Sequence, residues 1–155
     1  MSEEPQRYTF IFTPPEEDAG CWNLNLQSFS QALNETFPDS SSSQEEGALG
    51  PRRAQSLSFE LELMPNEWLE GIVSTPFPQT GSVVLELATP VQGAAFAKWL
   101  RDAYVPPSAP IEVIIGLALE NGVEDVRTVP PTGDLSSIVR ELEEHIALVE
   151  EETRS

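Results

Sequence analysis

The sequence predicts an α+β protein in which helices pack on an antiparallel sheet, and three features predict it. Segments of strict apolar alternation recur, above all at 57–63 and 82–88. Stretches with apolar residues at helical spacing are interleaved with them, at 28–37, 90–104 and 135–149. The chain has 155 residues, the usual size of one folding unit, so a single domain over 1–155 is expected.

Taken in order, residues 7–13 alternate Tyr8, Phe10 and Phe12 with Thr9, Ile11 and Thr13, which is a strand closed by Pro14 and Pro15. Phe29, Leu33, Thr36 and Phe37 recur at helical spacing behind a cap at Asn25 or Ser28, which places a short helix over about 28–37. From about 38 to 55 the chain is rich in Ser, Gly, Glu and Pro, and this composition predicts a flexible loop. Leu57, Phe59, Leu61 and Leu63 alternate with Ser58, Glu60 and Glu62 in a half-buried strand. A short strand over 68–74 follows the turn at Pro65 and Asn66, although Gly71 interrupts its pattern. Gln79, Thr80 and Gly81 form a turn into the strand 82–88, which turns Val83, Leu85 and Leu87 to one face.

Thr89 followed by Pro90 is a helix start, because the Thr oxygen can accept from a free amide and Pro is preorganised for the first turn. Ala95, Phe96, Trp99, Leu100 and Ala103 share a stripe, Gln92, Lys98, Arg101 and Asp102 face elsewhere, and the helix ends near Tyr104. The continuous apolar run 111–118 suits a central strand. A last helix starts at the Asp134 cap with Leu135, Ile138, Val139, Leu142, Ile146 and Val149 on one side. With the interrupted strand 68–74 left aside, the order strand, helix, strand, strand, helix, strand, helix is that of the split βαβ, or ferredoxin-like, unit with an appended C-terminal helix. That helix is expected over the second face of the sheet or at an edge.

The charge is the outlying number: 26 Asp and Glu against 8 Lys and Arg leave a net charge of -18. Such a field repels nucleic-acid phosphates and anionic membrane surfaces and attracts basic partners. No apolar run approaches the roughly 20 residues that span a bilayer. The acidic start Met1 to Pro5 is unlike a secretory signal, so a cytoplasmic location is expected. Cys21 is the one cysteine, which allows no intrachain disulfide and no thiolate cluster.

Chemistry-bearing motifs are missing. The 9 glycines are scattered and open no phosphate-binding loop. The one histidine, His145, lies a turn from Glu141 and next to Glu144, which reads as a helix-surface histidine with carboxylate neighbours. The stretch 120–125 lacks the ligand spacing of a calcium loop and reads as a turn. An enzyme that works through carboxylates alone is the least favoured reading, and neither an enzyme nor a metal or cofactor is expected.

The positions of the acids carry more than their number. Alternation puts Glu60, Glu62 and Glu86 on the side of the sheet opposite the core, with Glu112 joining them from its own strand. Glu141 and Glu144 belong to a second cluster on the last helix. The surplus exceeds the magnitude of about 2 to 8 that usually keeps a small domain in solution. These glutamates, with Trp68 as an aromatic anchor, are therefore the expected contacts for a basic protein partner; Trp22 is a further aromatic candidate, and so is Trp99, although its place on the core stripe predicts an interior position. A bacterial immunity- or antitoxin-type inhibitor of a toxin or nuclease domain has this broad composition. The alternative is a non-catalytic interaction or adaptor module, possible as a homodimer through the open sheet face, which the glutamates there would oppose by repulsion.

Overall fold

Tyr8, Phe10 and Phe12 sit at the junction on which the sheet is assembled. In the computed structural model, which describes residues 6–49, 52–75 and 81–154, they are the buried face of β1 (Tyr8–Thr13), which pairs antiparallel with β5 (Ser82–Ala88) and β6 (Glu112–Ile115). A 3-10 turn (Glu16–Asp18) and α1 (Leu26–Thr36) lead to the far edge of the sheet. There β2 (Ser41–Leu49), β3 (Arg52–Met64) and β4 (Glu67–Thr75) return as a meander to β5. From β5 the chain passes through α2 (Pro90–Trp99) and a π-helical turn (Leu100–Tyr104) to β6, α3 (Gly116–Glu120), β7 (Arg127–Thr128) and α4 (Leu135–Arg154). Among the described residues the sheet has seven strands in the order β2-β3-β4-β5-β1-β6-β7, and every pairing is antiparallel.

The α+β class is as the sequence predicts, but the sheet extends beyond the four strands of a split βαβ unit, because four strands and not two separate α1 from α2. One of the two extra strands is β4, the interrupted segment left out of that order, and the other, β2, comes from the segment expected as a loop at about 38–55. Its residues 41–49 pair along β3 from Ser41 opposite Glu60 to Leu49 opposite Arg52. A polar edge strand carries no apolar alternation, since its identity comes from the neighbour it pairs with.

The run 111–118 is a second correction. Only Glu112–Ile115 is strand, second from the edge and not central, and Gly116–Glu120 turns into α3. Short apolar runs do not distinguish strand from helix by period. The expected turn at Gln79 and Thr80 lies outside the described residues.

Helix starts follow local chemistry. Asn25 accepts from the Ser28 amide at 3.0 Å, so α1 begins two residues before the expected Ser28. Thr89 and Gln92 cap α2 reciprocally, Thr89 Oγ1 accepting from the Gln92 amide at 3.2 Å and Gln92 Oε1 from the Thr89 amide at 2.9 Å. Gln92 is therefore buried, against its expected outward position, while Ala103 is exposed. Asp134 accepts from the Ser137 amide at 3.2 Å at the start of α4.

One core lies between one face of the sheet and the helices. Phe59 of β3 stands 5.4 Å from Phe29 of α1 and 5.9 Å from Phe96 of α2, ring centre to ring centre, and Phe96 lies 5.8 Å from Phe12. Trp99 and Tyr104 close on Phe29 edge-to-face. Each such buried ring contributes about 2–3 kcal/mol by leaving water. The C-terminal helix packs on α2 and beside β7, with Ile138, Leu142, Ile146 and Val149 in the same core. It does not cover the second face of the sheet.

Candidate functional site

The second face is where strand register concentrates charge. Residues directly opposite each other across a ladder share a face. Glu60 of β3 is opposite Glu70 of β4, Glu70 is opposite Glu86 of β5, and Ser41 of β2 continues the row beyond Glu60. Two residues along the strands, a second row runs Ile72, Val84, Ile11, Ile114 across β4, β5, β1 and β6, each paired with the next. On the other side of the acidic row Glu62 is opposite Trp68, which is 47% exposed. Glu60 and Glu70 are exposed, and all four apolar side chains of the second row keep partial access to water. α3 packs beside β1 and β6, where a Cβ on Gly116 would lie 3.7 Å from Thr9 Cβ. A concavity of about 450 Å³ is bounded by Glu60, Glu70, Glu86, Ile72, Ser58 and Ser41.

This arrangement works against the fold's own stability. Like charges directly opposite on a ladder repel, and Glu70 meets a carboxylate on both sides. Among the described residues no Lys or Arg is paired with any of the three. A register shift in the β1–β5 ladder between Tyr8 and Phe10 places Glu86 and Leu87 in a bulge. Leu87 takes the left-handed backbone at φ 51 and is 64% exposed, so a large apolar residue holds a conformation that glycine or asparagine would adopt with less strain. Its carbonyl accepts from Arg7 Nη1 at 3.2 Å.

The residues expected as contacts are only partly assembled. Glu60 and Glu86 belong to the row together with Glu70, which sequence reasoning missed. Its signal was the alternation Glu70, Ile72, Ser74 against Leu69, Gly71, Val73, obscured because Gly71 stands where an apolar residue would. Glu62 is engaged locally, its Oε2 accepting from the Asn66 amide at 3.0 Å in the β3–β4 turn. Glu112 shares the face but sits at its other end, opposite Thr13 and Thr128. Trp22 and Trp99 are buried, with their indole hydrogens donated to the Pro110 carbonyl at 2.8 Å and to Thr36 Oγ1 at 2.9 Å. Trp68 is the exposed one of the three.

Glu141 and Glu144 lie elsewhere, around Arg127 of β7. Arg127 Nη1 is 3.4 Å from Glu141 Oε1 and 3.6 Å from Glu144 Oε2, and its Nε donates to Asp125 Oδ2 at 2.7 Å. His145 is the correction here: it is fully buried and not on the helix surface. Its Nε2 accepts from the Ile115 amide at 3.1 Å, so Nδ1 carries the hydrogen that it donates to Asp125 Oδ2 at 2.8 Å. Partial burial works to raise the Asp125 carboxyl, but the hydrogen bonds from His145 and Arg127 and the Arg127 charge outweigh it and hold it below the usual carboxylate range. The cluster fastens α4 to the end of β6 and to β7.

Among the described residues no group of three or more His, Cys, Asp or Glu is arranged to hold a metal ion, and no helix is long and apolar enough to cross a membrane. Comparison with protein-family models, curated proteins and solved structures found no match.

Proposed function

We propose that this chain is a binding protein that docks a basic protein partner on the uncovered face of its sheet, and that it acts in the cytoplasm as an immunity- or antitoxin-type inhibitor of a toxin domain such as a nuclease. The observation that carries this reading is the in-register row Glu60, Glu70, Glu86, which repels itself in the free chain and becomes favourable only against cations. The net charge of -18 would steer a basic partner inward from a distance. Carboxylates held in a row can then occupy positions where a nuclease expects phosphates. A homodimer joined through this face would set two such rows against each other, which disfavours it.

Site-specific photo-crosslinking in the source cell tests the proposal. A crosslinker at Ser58, within the concavity, is expected to trap a protein of basic isoelectric point, and the product is expected to vanish when Glu60, Glu70 and Glu86 are all changed to Gln. The same crosslinker at Arg140 on α4 serves as the reference position. Trapping of a basic protein from Arg140 alone, or persistence of the Ser58 product in the Gln variant, would contradict it.

A further inference from the structure

Resting on that reading, we infer that the occupant of the face is a basic amphipathic α-helix of the partner, laid across the strands with cationic side chains over Glu60, Glu70 and Glu86 and its apolar side on the Ile72, Val84, Ile11, Ile114 row.

Spacing selects the helix. The three carboxylates come from adjacent strands, which lie about 4.8 Å apart, so Glu60 and Glu86 are separated by about 10 Å. Cationic residues one turn apart on a helix rise about 5.4 Å per step and cover about 11 Å in two steps. An extended segment presents same-face side chains about 6.7 Å apart and overshoots the row by about 4 Å in the same two steps.

Polarity selects an amphipathic helix over a merely cationic one. The apolar row lies two residues along the strands from the acidic row, about 7 Å away. A helix with its side chains is about 10 Å across, so one helix meets both rows with two adjoining stripes. The apolar row also runs farther than the acidic one, reaching β6 while the carboxylates stop at β5. The matching helix thus keeps an apolar stripe beyond the end of its cationic one. On the opposite flank Trp68 offers a ring face over which a Lys or Arg can lie.

The test uses the full chain and two synthetic peptides of about 18 residues, five helical turns. Both have one Lys and Leu composition; one has helical period and the other alternates as a strand. Trp68 emission reports binding, since Trp22 and Trp99 are buried, and amide shifts map the site. The helical peptide is expected to bind at least about tenfold more tightly than the alternating one, to shift the amides of Glu70, Ile72 and Val84, and to lose that advantage in a Glu60→Gln, Glu70→Gln, Glu86→Gln variant whose unfolding curve is intact. Equal or tighter binding of the alternating peptide to the same amides would overturn the helix while leaving the acidic face as the docking surface. Shifts confined to α4, or no salt-sensitive binding of either peptide, would overturn both.

Discussion

The fully buried His145 donates its Nδ1 hydrogen to the partly exposed Asp125 Oδ2 at 2.8 Å, and this bond fixes the tautomer that lets Nε2 receive the Ile115 amide. Replacing the fully buried His145 by Ala leaves the Ile115 amide without its acceptor and a cavity where the ring was. A loss of about 3 kcal/mol is expected in urea unfolding. Because Asp125 is held below its ordinary value, its contribution is fully present above the ordinary carboxylate pKa of about 4 and fades as pH falls through the lowered value. An Asp125→Asn variant is expected to be less stable at neutral pH and to lose less on acidification than the parent.

Tyr8 titrates in the opposite sense. Burial first, and then the Glu150 charge and its hydrogen bond at 3.2 Å, push the phenol up to about 12. A raised value means that the fold favours the protonated phenol, so this contribution is complete below about 10 and is lost as pH rises towards 12. Tyrosinate absorbance is expected to show one late-titrating group, which Glu150→Gln moves only part of the way down.

Glu70 supplies a prediction that a purely structural residue would not satisfy. Glu70→Gln removes the charge that register sets opposite both Glu60 and Glu86, so the variant is expected to be more stable by about 0.5 kcal/mol, read as a melting temperature higher by about 1–2 °C. An unchanged or lower melting temperature would show that the row is not self-repelling.

Gly71 separates Glu70 from Ile72 and keeps the sheet flush beneath them. A Cβ there would run into the Phe59 ring and the Val84 carbonyl oxygen, and the second of these is backbone that cannot swing aside. Gly71→Ala is expected to lower stability by about 2 kcal/mol in the same urea assay.

How far the sequence could be read follows from where each signal resides. The strand 82–88, the Thr89 cap and the stripe of α4 are local patterns found where the periodicity puts them, except that the bulge turns Leu87 out of the face it was expected to share with Val83 and Leu85. The edge strand β2 carries no apolar alternation in its sequence, and only its partner β3 reveals it. His145 shows the converse: its neighbours along the helix, Glu141 and Glu144, suggest a surface, while the groups that bury it, Asp125 and the Ile115 amide, come from residues 20 and 30 positions away. Alternation alone assigned Glu60 and Glu86 to one face, but register, which no single strand encodes, was needed to bring Glu70 between them.

Association kinetics most directly test whether the acidic row is the docking surface. With the basic protein trapped at Ser58 as the partner, the on-rate of the full chain is expected to fall by at least about tenfold between low and high ionic strength. The Glu60→Gln, Glu70→Gln, Glu86→Gln variant is expected to begin near the high-salt rate and to change little. Equal on-rates and equal salt slopes for parent and variant, with both chains folded, would contradict the account.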